Sequence, residues 1–105
     1  QNADEKRFMK WVKNQRCVIC DDEDVIVDHM YGSAFIHNKV LIGHWALLPL
    51  CQLCDFVKTE GSHNTYMQVF GHSQADDWLK ICIDYDPDSE IIPGEVINAI
   101  MDWGK

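Results

Sequence analysis

Two Cys-x-x-Cys pairs, CVIC at 17–20 and CQLC at 51–54, organise the centre of this 105-residue chain. Two such turns can aim four thiolates at one ion and complete the tetrahedron that zinc prefers. An odd cysteine count without a signal peptide disfavours a secreted disulfide framework, and the alternatives are a redox pair or chance core cysteines. We predict a structural Zn²⁺ site made by Cys17, Cys20, Cys51 and Cys54. The fifth cysteine, Cys82, lies in an apolar stretch, where we expect a buried thiol.

The composition describes an acidic globular chain. It has 17 Asp and Glu against 9 Lys and Arg, a formal net charge of -8, and 47% hydrophobic residues. Apolar runs stay short of the roughly 18–20 residues of a membrane helix, so we expect no membrane association. The acidic balance argues against strong non-specific nucleic-acid binding, which calls for a basic surface. We expect one domain over 1–105, with an N-terminal helix at 1–16, a zinc-bound core at 17–72 and C-terminal helices at 73–105.

The N-terminal segment 3–15 has the pattern of an amphipathic helix. Phe8, Trp11 and Val12 lie at i, i+3 and i+4 and form its apolar stripe. Five of the nine basic residues occur before residue 17. They are either a solvated helix face or a strip that contacts phosphates.

Local patterns predict the remaining elements. The β-branched runs at 25–27 and 40–42 favour short strands, and a helix is expected from Gln52 to about Lys58, ending near Gly61. The sequence SQAD at 73–76 resembles a capping box that opens a further helix. Pro93 suits the first turn of a last helix, whose apolar face is formed by Val96, Ile97, Ile100 and Met101.

Several tryptophan and histidine residues belong to no motif, and we expect them to have no direct part in function. We expect Trp45, Trp78 and Trp103 to be core anchors. We expect His37 and His72 to be ordinary surface residues.

Asp28 and His29 follow the first predicted strand. Asp28 and the more distant His63 could ligate a catalytic divalent ion, Mg²⁺ or Mn²⁺. His29 points to the opposite side of the strand from Asp28 because side chains alternate. It is therefore a candidate to deprotonate water, a role that suits an imidazole with a pKa near 6.5. The plain alternative is that these residues are a turn carboxylate and surface or core histidines.

Four short motifs together resemble those of the HNH, or ββα-metal, endonucleases on a treble-clef zinc scaffold. They are CVIC (17–20), VDHM (27–30), GH (43–44) and LPLC (48–51). A closer resemblance is to the phage recombination-enhancement, RecA-dependent nuclease group and related phage HNH proteins. The segment 66–71 resembles the aromatic-x-x-x-aromatic-Gly element of that group. The resemblance covers roughly residues 8–85.

The resemblance implies roles for individual residues. His29 matches the general base, and Asp28 matches the first metal ligand. His44 matches a histidine that orients the base or contacts the phosphate, and His63 is the best match for the last metal ligand.

The chain departs from the family pattern around the second cysteine pair. Where many members have two consecutive histidines, it has Cys54 and Asp55. Where the helical metal histidine is expected, it has Lys58 or Thr59, and Ala46 stands at the usual Asn position.

These observations predict an α+β domain with a zinc-stabilised treble-clef or ββα-metal core and flanking α-helices. The predicted function is a metal-dependent DNA endonuclease in phage or bacterial recombination. Its partners would be DNA and a RecA-type recombinase filament, in the cytoplasm of a bacterium or a phage-infected cell. The alternative is a catalytically degenerate, zinc-stabilised protein-interaction module that uses its acidic face.

Overall fold

A computed structural model describes residues 3–30, 36–37, 40–61 and 63–103. Within these residues there are five α-helices and two small antiparallel sheets, which confirms the α+β class. The elements in chain order are α1 (Ala3–Lys13), β1 (Ile26–His29), β2 (Ile36–His37), β3 (Val40–Leu41), the 3₁₀ helix η1 (Gly43–Trp45), β4 (Leu47–Leu50), α2 (Gln52–Glu60), α3 (His63–Phe70), α4 (Gln74–Tyr85) and α5 (Gly94–Trp103).

The central sheet is the pair of β1 and β4. The register places Asp28 opposite Leu48 and His29 opposite Leu47. Every residue of β4 is buried, because α1, α2 and α4 all contact this strand. Because the strand is covered on both sides, Leu47–Leu50 is a continuous apolar run. It lacks the alternation of polar and apolar residues that is typical of a half-exposed strand.

An aromatic cluster fixes α1 on this sheet. Phe8 is fully buried, and its ring centroid lies 5.6 Å from that of Trp45 and 5.1 Å from that of Tyr85. Trp78 is also fully buried, and its indole Nε1 donates to the Trp45 carbonyl at 2.7 Å. The expectation that Trp45 and Trp78 are core anchors is confirmed, while the side chain of Trp103 lies outside the described residues.

The helix boundaries follow the sequence signals. The Ser73 hydroxyl accepts a hydrogen bond from the Asp76 backbone N–H at 3.0 Å, which confirms the predicted cap of α4. Gly61 caps the end of α2, as expected from its position. The segment 63–70 forms α3, a helix that the sequence pattern does not predict, and it packs between α2 and α4.

The predicted strands are shifted or shortened. The first strand covers Ile26–His29 instead of 25–27, and the run at 40–42 gives only Val40–Leu41, paired with Ile36–His37. The strand pairing, and not the β-branched composition, decides these limits, because pairing with β4 extends β1 to His29. Within the described residues, no helix has the length and apolar character needed to cross a membrane.

Candidate functional site

The four paired cysteines meet in space. Cys17 and Cys20 lie in the loop between α1 and β1, where the Cys17 N–H donates to the Asp22 carbonyl at 2.9 Å. Cys51 and Cys54 lie at the N-terminus and in the first turn of α2. Because β4 leads directly into α2 and pairs with β1, the sheet brings the two cysteine turns together.

The distances among the thiols suit one tetrahedral ion. All four Sγ atoms lie within 4.8 Å of one another, with 3.5 Å between Cys20 and Cys51 and 3.9 Å between Cys20 and Cys54. A zinc–sulfur bond of about 2.3 Å corresponds to a tetrahedral edge of about 3.8 Å. The group can therefore hold a metal ion such as zinc, in agreement with the sequence prediction.

Backbone hydrogen bonds tune the charges of these thiols. Burial opposes ionisation of Cys17, but backbone N–H groups, including those of Cys20 and Cys51, outweigh burial and lower its pKa. Burial and the neighbouring thiols raise the pKa of Cys54. A thiolate at Cys17 therefore opposes ionisation of Cys54, and a bound cation would relieve this repulsion.

Cys82 is not part of this group. It is 4% exposed on α4, and burial raises its pKa. The prediction of a buried, apolar thiol is confirmed.

Asp28 faces α2 and forms an ion pair there. The Lys58 Nζ lies 2.8 Å from the Asp28 Oδ2 and 3.0 Å from the His29 carbonyl oxygen. The Asp28 carboxyl also interacts with that of Asp55, one turn before Lys58 on α2. Burial opposes ionisation of Asp28, but its interactions with Asp55 and with the Lys58 charge lower its pKa. Burial and the Asp28 charge raise the pKa of Asp55 to about 6.

His29 and His44 form a histidine pair. The His29 Nε2 and the His44 Nδ1 are 3.1 Å apart, and the two rings meet edge to face. The pair follows from the strand register, because His29 lies opposite Leu47 and η1 ends two residues before Leu47. Gly43, at a φ of +60°, adopts the left-handed turn that starts η1.

The histidine pair is partly shielded from water. Burial and the neighbouring His44 ring lower the pKa of His29, while the Asp28 charge opposes this shift. His29 is therefore neutral at neutral pH, as a proton acceptor must be.

The sequence-predicted residues are partly brought together. At the end of β1, Lys58 contacts Asp28 and the backbone carbonyl of His29, and the His29 ring contacts His44. His63 begins α3, but its side chain lies outside the described residues. Its predicted role as a metal ligand stays a prediction.

Two side chains at the site were not proposed from sequence as functional. In the sequence, Asp55 and Lys58 stand out only as departures from the family pattern. Their i, i+3 spacing on a helix places both on one face, which was the signal available. Only the packing of α2 against β1 directs that face toward Asp28.

The His72 side chain is 40% exposed, in agreement with the expected surface residue, but it also contacts a buried carboxylate. Its Nδ1 lies 2.9 Å from the Asp77 Oδ2, and the hydroxyl of buried Tyr66 donates to the same carboxylate. Asp77 is 1% exposed, and burial raises its pKa despite these partners. The hydrogen-bonded group of Tyr66, His72 and Asp77 therefore connects α3 to α4 and has a structural role.

The basic N-terminal strip is partly neutralised by acids. Arg7 pairs with Asp4 at 2.7 Å, and Arg16 pairs with Glu23 at 3.0 Å. Both pairs are exposed, so they restrain these cations only weakly.

Comparison of the chain with family models, with curated proteins and with solved structures found no match.

Proposed function

We propose that this chain is an HNH-type endonuclease that hydrolyses DNA phosphodiester bonds on a treble-clef zinc scaffold. The observation that carries the proposal is the His29–His44 pair beside Asp28, at the end of a strand whose partner runs into the metal-binding helix. Two antiparallel strands followed by a helix, with a histidine and a carboxylate adjacent on the first strand, are the parts that a ββα-metal site requires.

The two histidines have different roles in this proposal, with His29 as the base and His44 as its hydrogen-bond partner. In one tautomer, the His29 Nε2–H donates to the His44 Nδ1, and the His29 Nδ1 keeps its lone pair. That lone pair takes a proton from water as the water oxygen attacks phosphorus and the P–O bond to the leaving oxygen breaks. The leaving oxygen takes a proton from solvent. His44 fixes the tautomer of His29, as a hydrogen-bond partner of a catalytic imidazole commonly does.

Asp28 would be the first ligand of a divalent ion in this proposal. A bound Mg²⁺ or Mn²⁺ would supply positive charge for the phosphate and the leaving oxygen. The chain's own contribution is the carboxylate of Asp28 and the neutral base beside it.

A cleavage assay tests the proposal. Zinc-loaded protein is incubated with single- and double-stranded DNA, with Mg²⁺, with Mn²⁺ or without added ion, and with or without a RecA-type filament. The expected result is ion-dependent nicking that falls about 10²–10⁴-fold in His29→Ala, the range of general-base catalysis. Asp84→Asn, an exposed change on α4, is the matched control and should cleave at the wild-type rate.

The assay includes lanes with a RecA-type filament because the protein itself is acidic. Contacts from Lys and Arg to phosphates supply much of the affinity for DNA, and this chain carries a net charge of -8. A partner that already holds DNA would deliver the substrate. Absence of cleavage in every lane, from folded zinc-loaded protein, contradicts the endonuclease.

A second candidate function is a zinc-stabilised interaction module. It is favoured by two exposed apolar side chains on α2, Leu53 at 79% and Phe56 at 63% exposure. Beside them is a groove of 250 Å³ lined by Asp22, Asp24, Cys51, Gln52 and Leu53. An apolar surface with an acidic border suits a basic amphipathic segment of a partner protein.

Peptide binding tests the module. Fluorescence anisotropy with a labelled Lys- and Arg-rich amphipathic peptide should give saturable binding that Leu53→Ser and Phe56→Ser each weaken. An exposed change elsewhere, such as Ile83→Ser, should have no effect. Equal binding by all variants contradicts this surface.

A further inference from the structure

Lys58 has an unusual position for a lysine. Its side chain is only 11% exposed, although lysine ammonium groups are rarely buried unless paired. The Nζ atom lies between the Asp28 Oδ2 at 2.8 Å and the His29 carbonyl oxygen at 3.0 Å. The ammonium is therefore held from two sides by β1, on a helix that starts from the cysteine group.

The atoms around this ammonium are those of a hard-cation site. Asp28 supplies a carboxylate oxygen, and His29 supplies a backbone carbonyl. Asp55, one turn before Lys58 on α2, adds a second carboxyl that interacts with Asp28 and with the Lys58 charge. Carboxylate and carbonyl oxygens are donors that Mg²⁺, Mn²⁺ and Ca²⁺ take in proteins.

The two carboxyls also need a positive charge. Adjacent carboxylates in a shielded place repel each other unless a cation or a shared proton intervenes. Lys58 supplies that charge, because it is in direct contact with Asp28 and comes from the same helix as Asp55.

We infer that Lys58 is a built-in cation of this site, and that a divalent ion can bind Asp28 only by displacing the Lys58 ammonium. The inference rests on the site of the proposed function and deepens it, because it names the residue that controls ion occupancy. It gives Lys58 a positioning role through Asp28. Its readout is ion binding, which is measured without any DNA.

Ion binding to four matched proteins tests the inference. Zinc-loaded wild type, Lys58→Met, Lys58→Gln and Lys58→Arg are titrated with Mn²⁺, and free Mn²⁺ is followed by electron paramagnetic resonance. Loss of an ammonium in contact with the carboxylate should tighten Mn²⁺ binding by about tenfold or more in the Met and Gln variants. The Arg variant, which keeps the charge, should bind as weakly as wild type.

Two controls locate the effect. Asp28→Asn in the Lys58→Met background should abolish the gain, since it removes the ligand that Lys58 covers. Lys13→Met, an exposed change at the end of α1, should leave Mn²⁺ affinity unchanged. Zinc content and circular dichroism establish that each variant is folded, and Lys58→Gln retains hydrogen-bonding capacity if Lys58→Met is poorly folded.

Several outcomes overturn the inference. These are equal Mn²⁺ affinity in wild type and both neutral variants, a gain that survives Asp28→Asn, or a gain in Lys58→Arg. Failure of the proposed nuclease is seen separately, as absence of DNA cleavage by wild type, and it does not alter the Mn²⁺ affinities.

Discussion

Asp86 is a buried carboxylate that joins the end of α4 to the segment before α5. Its two oxygens accept hydrogen bonds from the backbone N–H groups of Glu90, Ile91 and Ile92, each at 2.9 Å. Burial opposes ionisation of Asp86, but these three donors outweigh it and lower its pKa. The charged form therefore stabilises the fold.

Asp86→Asn should lower the free energy of unfolding by about 1–3 kcal/mol at pH 7, because its amide NH₂ replaces an oxygen that faces N–H donors. Urea denaturation measures the change. Asp84→Asn, an exposed change on the same helix, should have no effect beyond about 0.5 kcal/mol. Equal losses in both variants would contradict the role of Asp86.

The pH dependence of this difference follows from the lowered pKa of Asp86. The charge contributes its full stabilisation above the unfolded-state pKa of about 3.9, and the contribution is lost as pH falls through the folded-state pKa. The gap in unfolding free energy between wild type and Asp86→Asn should therefore shrink below about pH 4. A gap that is constant from pH 7 to pH 3 would be inconsistent with a charge effect.

Tyr66→Phe removes the hydroxyl that donates to Asp77, a carboxylate that is 1% exposed. The buried acceptor loses a partner, so we expect a loss of about 1–3 kcal/mol in the free energy of unfolding. Thermal and urea denaturation measure it. Tyr85→Phe, a half-buried tyrosine in the aromatic cluster, is the control and should cost at most about 0.5 kcal/mol. The same loss in both variants would refute a specific role for the Tyr66 hydroxyl.

At the scale of elements, local sequence signals located most helices but not the strand limits. Phe8 and Val12 are buried on α1, and Val96 and Ile100 are buried on α5, as their helical spacing predicts. A helix forms its backbone hydrogen bonds within its own segment, so its spacing of apolar residues can be recognised in a short stretch of sequence. A strand takes its partner from elsewhere in the chain, so the end of β1 depends on its pairing with β4.

Ser73→Ala tests the cap of α4. Loss of the hydroxyl leaves the Asp76 N–H without its acceptor, and we expect a cost of about 0.5–2 kcal/mol in unfolding free energy. Ser73→Gly should cost only a few tenths of a kcal/mol, since glycine is accepted at an N-cap. Chemical denaturation of both variants provides the measurement, and a larger loss for Gly than for Ala would argue against capping as the cause.

At the scale of the whole molecule, the cysteine group joins the loop after α1 to the N-terminus of α2. One apolar core includes residues of α1, β4, α4 and α5. Structural zinc contributes about 10–16 kcal/mol of apparent binding free energy in zinc-finger peptides. That is comparable to the total stability of a small domain, about 5–15 kcal/mol.

A strong zinc chelator should therefore unfold at least the β1–β4–α2 part of the chain. Circular dichroism and thermal melting, with zinc content from elemental analysis, follow the loss and its reversal by added zinc. Cys51→Ser should bind less than one zinc per chain, and Cys82→Ala should keep one, because Cys82 lies apart from the group. A chelated protein with an unchanged melting curve would show that the metal does not hold the fold.

Local spacing and periodicity were enough to predict the four cysteines that can hold a metal ion, the cap of α4 and the apolar faces of α1 and α5, because these are properties of short segments. Which polar groups meet depends instead on how the folded chain packs. The contact of His29 with His44 depends on the register of β1 and β4. The ion pair of Lys58 with Asp28 depends on how α2 is rotated against β1. The hydrogen-bonded group of Tyr66, His72 and Asp77 depends on how α3 packs on α4. Register and helix rotation are set by the burial of apolar side chains throughout the molecule, so the polar contacts they create cannot be derived from local spacing.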